Sequence, residues 1–140
     1  MYNNILVPID GSDNANKALD VSLDLNKAFG SKITVLTVIH NIHYDSESLR
    51  SELYEGLLTN AHKLVEGCRD YAWNKAGVTI DGNVVDGNPK QEIIDFARDR
   101  QFDLIIIGKT GTNAINRVFL GSTTAYVVRH ADTQVLVVNA

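Results

Sequence analysis

The chain has one cysteine and two prolines, and its basic residues are outnumbered by acidic ones. Cys68 has no partner within the chain, so no internal disulfide can hold the fold. With 13 basic and 17 acidic residues, the formal net charge is −4, which leaves no broad cationic surface. Sequence-independent binding of nucleic acid requires such a surface, and we therefore predict that this protein binds no nucleic acid.

Long apolar runs are also missing. No stretch approaches the roughly 18 residues that a membrane-spanning helix needs, so no membrane partner is expected. The first four residues lead into a short apolar run without the basic flank of a signal peptide, which favours the cytoplasm. Hydrophobic residues at 44% and charged residues at 21% are typical of a globular protein, and residues 1–140 are predicted to form one domain.

Short apolar runs alternate with helical periodicity along the whole chain. The runs predict five strands, at residues 5–9, 33–39, 78–85, 104–107 and 135–138. Four helices are predicted between them, at about residues 12–29, 47–76, 88–100 and 122–130. This order predicts an α/β fold, with an open parallel five-stranded sheet and helices on both faces.

Residues at the helix ends predict how the helices begin. Ser12 or Asp13 can cap the first helix. Asn88 is placed to cap the third, with Pro89 in its first turn and Gln91 positioned to reach back as in a capping box.

The long second helix has an apolar side that repeats with helical spacing. Its members are Leu49, Leu53, Leu57, Ala61, Leu64, Cys68, Tyr71 and Lys75. Cys68 is predicted to lie in the core, and Tyr71 and Trp73 are predicted to pack against it at the end of the helix.

Two loops at the ends of strands have the chemistry of an anion site. In doubly wound sheets, ligands bind beyond the carboxyl ends of the strands where the winding reverses. The first strand leads into Asp10, and the fourth leads into Gly108, Lys109 and Gly111. That second loop ends at residues 121–123, which open a helix. Glycine lets backbone N–H groups approach phosphate oxygens, and a helix N-terminus adds unpaired donors.

Three better-known motifs of parallel α/β proteins do not fit the sequence. A Walker A loop ending at Gly108 and Lys109 would need a glycine where Asp103 stands. A dinucleotide fingerprint would need three glycines after the first strand, which has only Gly11. A receiver domain would need a lysine after the last strand, and this strand ends at Asn139.

Interpretations of these loops without a nucleotide also stay open. Asp10 could cap the first helix rather than bind a ligand. His40, His43 and Asp45 have a spacing that could hold a metal, but they lack further convergent ligands, and no direct metal site is predicted there.

The spacing of the glycines resembles a known family. Gly108, Gly111, Gly121 and Ser122 follow the pattern G-x2-G-x9-G-S/T, and residues 7–12 read Val-Pro-Ile-Asp-Gly-Ser. Together with residues 87–89, 103–108 and 128–131, this resembles the ATP-binding branch of the universal stress proteins, and the likeness runs end to end. The resemblance implies a Rossmann-like sheet of order 3-2-1-4-5, which places strands one and four side by side. One departure is the run at 132–134, where the family often has Pro-Cys-Pro.

The resemblance also implies a ligand, ATP with Mg²⁺, and a role for each site residue. Asp10 would bind the ribose or the phosphate-bound metal, and the backbone of Val38 would meet the adenine. The remaining implied contacts are Pro8, Ile9 and Ile107 beside the base and sugar, Gly108 and Gly111 beneath the phosphates with Lys109 as a further candidate, and Gly121, Ser122 and Thr123 at the helix start.

No dedicated catalytic base accompanies this set, so a nucleotide-dependent stress-response or signalling module with slow or no hydrolysis is predicted. The alternatives are a slow ATPase or other ATP-using enzyme, and a nucleotide-free dimeric scaffold. A homodimer through the last strand is also predicted, because residues 135–138 contain no lysine, proline or glycine to discourage pairing at the sheet margin.

Overall fold

A computed structural model describes residues 1–40, 47–110 and 120–139, apart from the side chains of residues 47–50. In these segments, strands and helices alternate. Their bounds are β1 Asn4–Pro8, α1 Asp13–Phe29, β2 Lys32–His40, α2 Glu47–Ala76, β3 Asp81–Gly87, α3 Pro89–Asp99, β4 Leu104–Gly108, α4 Ser122–His130 and β5 Gln134–Val138.

The five strands form one parallel sheet in the order β3-β2-β1-β4-β5. This confirms the predicted fold class. The sheet is buried between two layers of helices, since one apolar cluster joins it to α1 and α2 and a second joins it to α3 and α4. Alternate residues of β1 supply the two clusters, because successive side chains of a strand point to opposite faces.

The helix starts follow the predicted chemistry in two places. The Ser12 side chain accepts the Ala15 N–H and caps α1, and Asn88 accepts the Lys90 N–H and caps α3. Helix α1 ends at Gly30, whose φ of 69° is the left-handed conformation that glycine adopts without strain.

The predicted capping box on α3 is wrong. Gln91 does not reach back to Asn88; its amide nitrogen donates to Asp95 one turn further on. Its amide oxygen accepts the Tyr126 hydroxyl at 2.9 Å. The Gln91 side chain, which the local pattern assigned to the cap, therefore contacts the neighbouring helix α4 instead.

Strand β3 begins at Asp81, three residues later than the predicted start at Val78. The Val78 N–H still donates to the Ala72 carbonyl, which belongs to the end of α2. Residues 78–80 therefore lead from the helix to the sheet, and pairing with β2 starts at Asp81 opposite Thr34.

Among the side chains of helix α2 that the structure describes, residues 51–76, those of the second half cover the sheet; Leu49 of the predicted apolar side lies outside them. Ala61, Val65 and Cys68 are buried, whereas Leu53 and Leu57 on the predicted apolar side are exposed. A 30-residue helix is about 45 Å long, more than the sheet edge beneath it can cover. Burial raises the pKa of the Cys68 thiol to about 11, which suits its predicted place in the core.

The prediction that Trp73 packs against the core is wrong, since its side chain is 61% exposed. Ala72 takes the core position, and the next residue is turned about 100° away from it. Tyr71 is also exposed, and its hydroxyl donates to Asp20 on α1 while it accepts from Lys75 at 2.9 Å.

Among the helices in the described segments, none is both long and apolar enough to cross a membrane.

Candidate functional site

The hydrogen-bond ladder between β1 and β4 stops before either strand ends. Leu6 and Ile105 are its last pair. The Ile9 N–H donates to the Leu36 carbonyl of β2 at 2.9 Å, so by alternation the backbone of Pro8 faces β4. Proline has no N–H to continue the ladder. Two adjacent parallel strands therefore open into a crevice at their carboxyl ends, where the winding of the sheet reverses.

Asp10 lies exposed at the β1 side of this crevice. One of its carboxylate oxygens accepts the Ser12 N–H at 2.9 Å, which holds the side chain in the turn. Gly11 makes that turn with a φ of 85°. Because Ser12 caps α1, Asp10 does not have the alternative role of helix cap that the sequence left open.

Gly108 lies at the β4 side, where the structure reveals a packing role that the sequence did not. A Cβ on this residue would lie 2.7 Å from the Asn14 Cβ and 2.8 Å from the Asn14 carbonyl carbon. The first turn of α1 therefore rests directly on the end of β4. The Gly108 carbonyl also accepts the Thr124 hydroxyl at 2.7 Å, which ties α4 to the same point.

Replacing Gly108 with alanine is expected to lower the free energy of unfolding by about 1–3 kcal/mol, because backbone atoms must move to admit the methyl group. Urea denaturation would measure the change. Gly67→Ala is the control, since nothing lies within 4 Å of a Cβ there and alanine favours its helix. A Gly108→Ala variant as stable as the wild type would contradict the steric argument.

In the part of the chain that the structure describes, no side chain caps the start of helix α4. Gly121 is its N-cap residue, and no side chain there accepts a hydrogen bond, in contrast to Ser12 on α1 and Asn88 on α3. The Gly121 N–H itself donates to the Lys109 carbonyl at 2.9 Å. Among the described residues, no side chain caps the N–H groups of Ser122 and Thr123, and the positive end of the helix dipole adds to their attraction for an anion.

Lys109 links the crevice to the edge of the sheet. Its N–H donates to the Val138 carbonyl of β5, and its side chain is half-buried. Gly111, the second glycine of the predicted spacing, lies outside the described residues, as do His43 and Asp45.

The predicted apolar contacts are divided between the two faces of the sheet. Ile9 belongs to the cluster beneath α1 and α2, and Ile107 to the cluster beneath α3 and α4. Both side chains are buried, as is Pro8. The Leu36 carbonyl faces β1, so by alternation the backbone of Val38 faces the same side, beyond the point where β1 leaves the sheet.

In the segments that the structure describes, no three histidine, cysteine or acidic side chains form a group that could hold a metal ion. Asp10 alone would hold Mg²⁺ only together with other oxygen ligands, such as the phosphates of a nucleotide.

Sequence reasoning missed Asn14, which joins the two sides of the crevice. Its amide nitrogen donates to the Thr110 carbonyl at 3.2 Å and to the Thr110 hydroxyl at 2.5 Å. The available signal was an asparagine in the first turn of a helix that Ser12 already capped.

Comparison with known proteins agrees with this fold. The model of the universal stress protein family matches residues 1–139. A putative universal stress protein of Staphylococcus epidermidis is 34% identical over 143 residues, which cover 98% of this chain and 84% of that protein. The solved structure of the universal stress protein UspA from Lactobacillus plantarum has a TM-score of 0.88 at 33% identity, and the match covers 98% of this chain and 97% of that one.

Some solved structures with this fold contain adenine nucleotides. A universal stress protein in complex with cAMP has a TM-score of 0.71 at 25% identity, and the match covers 99% of this chain and 97% of that one. Two more distant structures, from Arabidopsis thaliana with AMP and from Archaeoglobus fulgidus with dAMP, share the fold at 19% identity. The family model matches nearly the whole length of this chain, and relatives share more than 30% of its sequence. This chain therefore belongs to the universal stress protein family.

Proposed function

We propose that this chain binds ATP, with Mg²⁺ on the phosphates, in the crevice between the carboxyl ends of β1 and β4. The early end of the β1–β4 ladder carries the proposal, because it leaves an open site between the exposed carboxylate of Asp10 and a helix N-terminus whose N-cap residue, Gly121, has no side chain. The cAMP complex of a family member supports an adenine nucleotide as the ligand.

The phosphates would lie at the N-terminus of α4. Ser122 and Thr123 offer backbone N–H and hydroxyl groups there, in a first turn without an acidic residue. Gly121 has already committed its N–H to Lys109, so it would contribute by having no side chain where a phosphate approaches.

Asp10 and Val38 would contact the rest of the ligand. The Asp10 carboxylate would bind the ribose or the Mg²⁺ ion. The backbone of Val38 would meet the adenine edge, since it faces the space that β1 vacates.

The test is whether nucleotide accompanies the protein through purification. Ultraviolet absorbance and chromatography of the heat-released ligand are expected to reveal an adenine nucleotide, and calorimetry is expected to show ATP binding in the presence of Mg²⁺. If no nucleotide is released and millimolar ATP gives no heat of binding, the nucleotide-free scaffold becomes the better hypothesis.

Hydrolysis of the bound ATP is expected to be slow, at or below about one turnover per minute against about ten per second for a median enzyme. Asp10 is the one acidic residue within residues 9–12, 108–110 and 120–123, and the Ser12 N–H already occupies one of its oxygens. Phosphate release would measure the rate. Release at ordinary enzyme rates, lost in Asp10→Ala while ATP still bound, would favour the ATP-using enzyme instead.

We also propose that two copies associate through β5, which lies at the margin of the sheet. The Lys109 N–H donates to the Val138 carbonyl, so by alternation Val138 and Leu136 face β4, whereas Val135 and Val137 present their backbone groups to the outer edge. The Leu136 side chain is 39% exposed, which adds apolar surface at this edge. The cytoplasmic location stays a prediction.

A further inference from the structure

We infer that Asn14 is a positioning residue for the nucleotide, acting through Thr110 to hold the phosphate-binding end of the crevice. The inference rests on the ATP site proposed above. Its evidence is the pair of hydrogen bonds from the Asn14 amide to the carbonyl and the hydroxyl of Thr110.

The two residues come from opposite sides of the crevice. Asn14 lies in the first turn of α1, four residues after Asp10, and Thr110 lies two residues after the end of β4. They are 96 positions apart in the sequence. Thr110 is only 9% exposed, so its contact with Asn14 is largely shielded from water.

The Thr110 carbonyl fixes the orientation of the Asn14 amide. A carbonyl can only accept, so the nitrogen of the amide must face it. The same nitrogen donates to the Thr110 hydroxyl oxygen, which leaves the hydroxyl proton for another acceptor. The Asn14 amide oxygen is buried and has no hydrogen-bond partner in the described part of the structure. Leaving a buried acceptor unpaired costs free energy. The hydrogen bonds that the Asn14 nitrogen donates to Thr110 offset this cost and hold the side chain in place.

The two residues before Thr110 are hydrogen-bonded to the start of α4. The neighbouring Lys109 carbonyl accepts the Gly121 N–H, and the Gly108 carbonyl accepts the Thr124 hydroxyl. Residues 108–110 therefore connect the first turn of α1 with the first turn of α4. Removing the Asn14 amide is expected to loosen the position of the phosphate donors relative to Asp10, without changing the contacts of the nucleoside.

Calorimetry with two probes, ATP with Mg²⁺ and adenosine, separates this role from general damage. Asn14→Ala is expected to weaken ATP binding by about tenfold or more and to leave adenosine binding within about twofold. Asn16→Ala, an exposed asparagine two positions along α1, is the control and should change neither. Adding Thr110→Val to Asn14→Ala should cost less ATP affinity than Thr110→Val costs in the wild type, because the Asn14 hydrogen bond to that hydroxyl is already gone.

Hydrogen exchange in the ligand-free protein tests the same bond without nucleotide. The Gly121 amide is expected to exchange about tenfold faster or more in Asn14→Ala than in the wild type or in Asn16→Ala. If the wild type binds ATP and Asn14→Ala binds it equally well, the inference is overturned while the ATP site stands. Equal losses for ATP and adenosine, or unchanged exchange at Gly121, would also overturn it. A wild type that does not bind ATP would end the proposed function and this role together.

Discussion

Replacing Gly121 with valine is expected to abolish ATP binding, with a loss in affinity of at least about 100-fold, while the protein stays folded. The valine side chain would occupy the space through which a phosphate must approach the N-terminus of α4. Gly121 has φ −60° and ψ 155°, a conformation that residues other than glycine also adopt, so the backbone itself should accept the substitution. Calorimetry with ATP and Mg²⁺ would measure the loss.

The matched control for this experiment is Gly67→Val on α2. Gly67 is exposed, and nothing lies within 4 Å of a Cβ built there. Urea denaturation of both variants would establish that each is folded. Unchanged ATP affinity in a folded Gly121→Val variant would remove the phosphates from this loop, even if the protein bound nucleotide elsewhere.

Replacing Val137 with proline is expected to convert a dimer into monomers. The N–H of Val137 faces the outer edge of β5, so proline there removes a donor that only a second copy could use. An antiparallel partner strand across a two-fold axis would pair with this edge on both copies and close the assembly. The ladder between β4 and β5 should survive, because Val137 does not contribute its N–H to it.

Leu136→Pro provides the opposite case one residue away. The backbone of Leu136 faces β4, so this substitution should remove a ladder hydrogen bond and destabilise the monomer by about 1–3 kcal/mol. Sedimentation at micromolar concentration distinguishes the outcomes. A wild-type protein that sediments as a 15.4 kDa monomer would refute the dimer, and a dimer that persists in Val137→Pro would place the interface elsewhere.

Local patterns predicted most of the elements and failed where a residue is bonded to another element of the structure. The strands at 5–9, 33–39, 104–107 and 135–138 were found within about one residue, because a continuous apolar run must be buried on both faces. The start of β3 was wrong because the end of α2 still holds Val78. The role of Gln91 was wrong because Tyr126, from another helix, reaches it.

The sequence by itself determined the alternation of strands and helices, the buried core and the two loops that flank the crevice. These follow from periodicity, glycine and capping residues, which act over a few positions of the chain. Only the tertiary structure decided what those loops contact. Gly108 must be glycine because α1 lies against it, Pro8 ends a ladder because it faces β4, and Asn14 meets Thr110 across 96 positions. Such contacts depend on the order of the strands and on the direction in which each backbone N–H and carbonyl points. A pattern in the linear sequence does not give either of these for an individual residue.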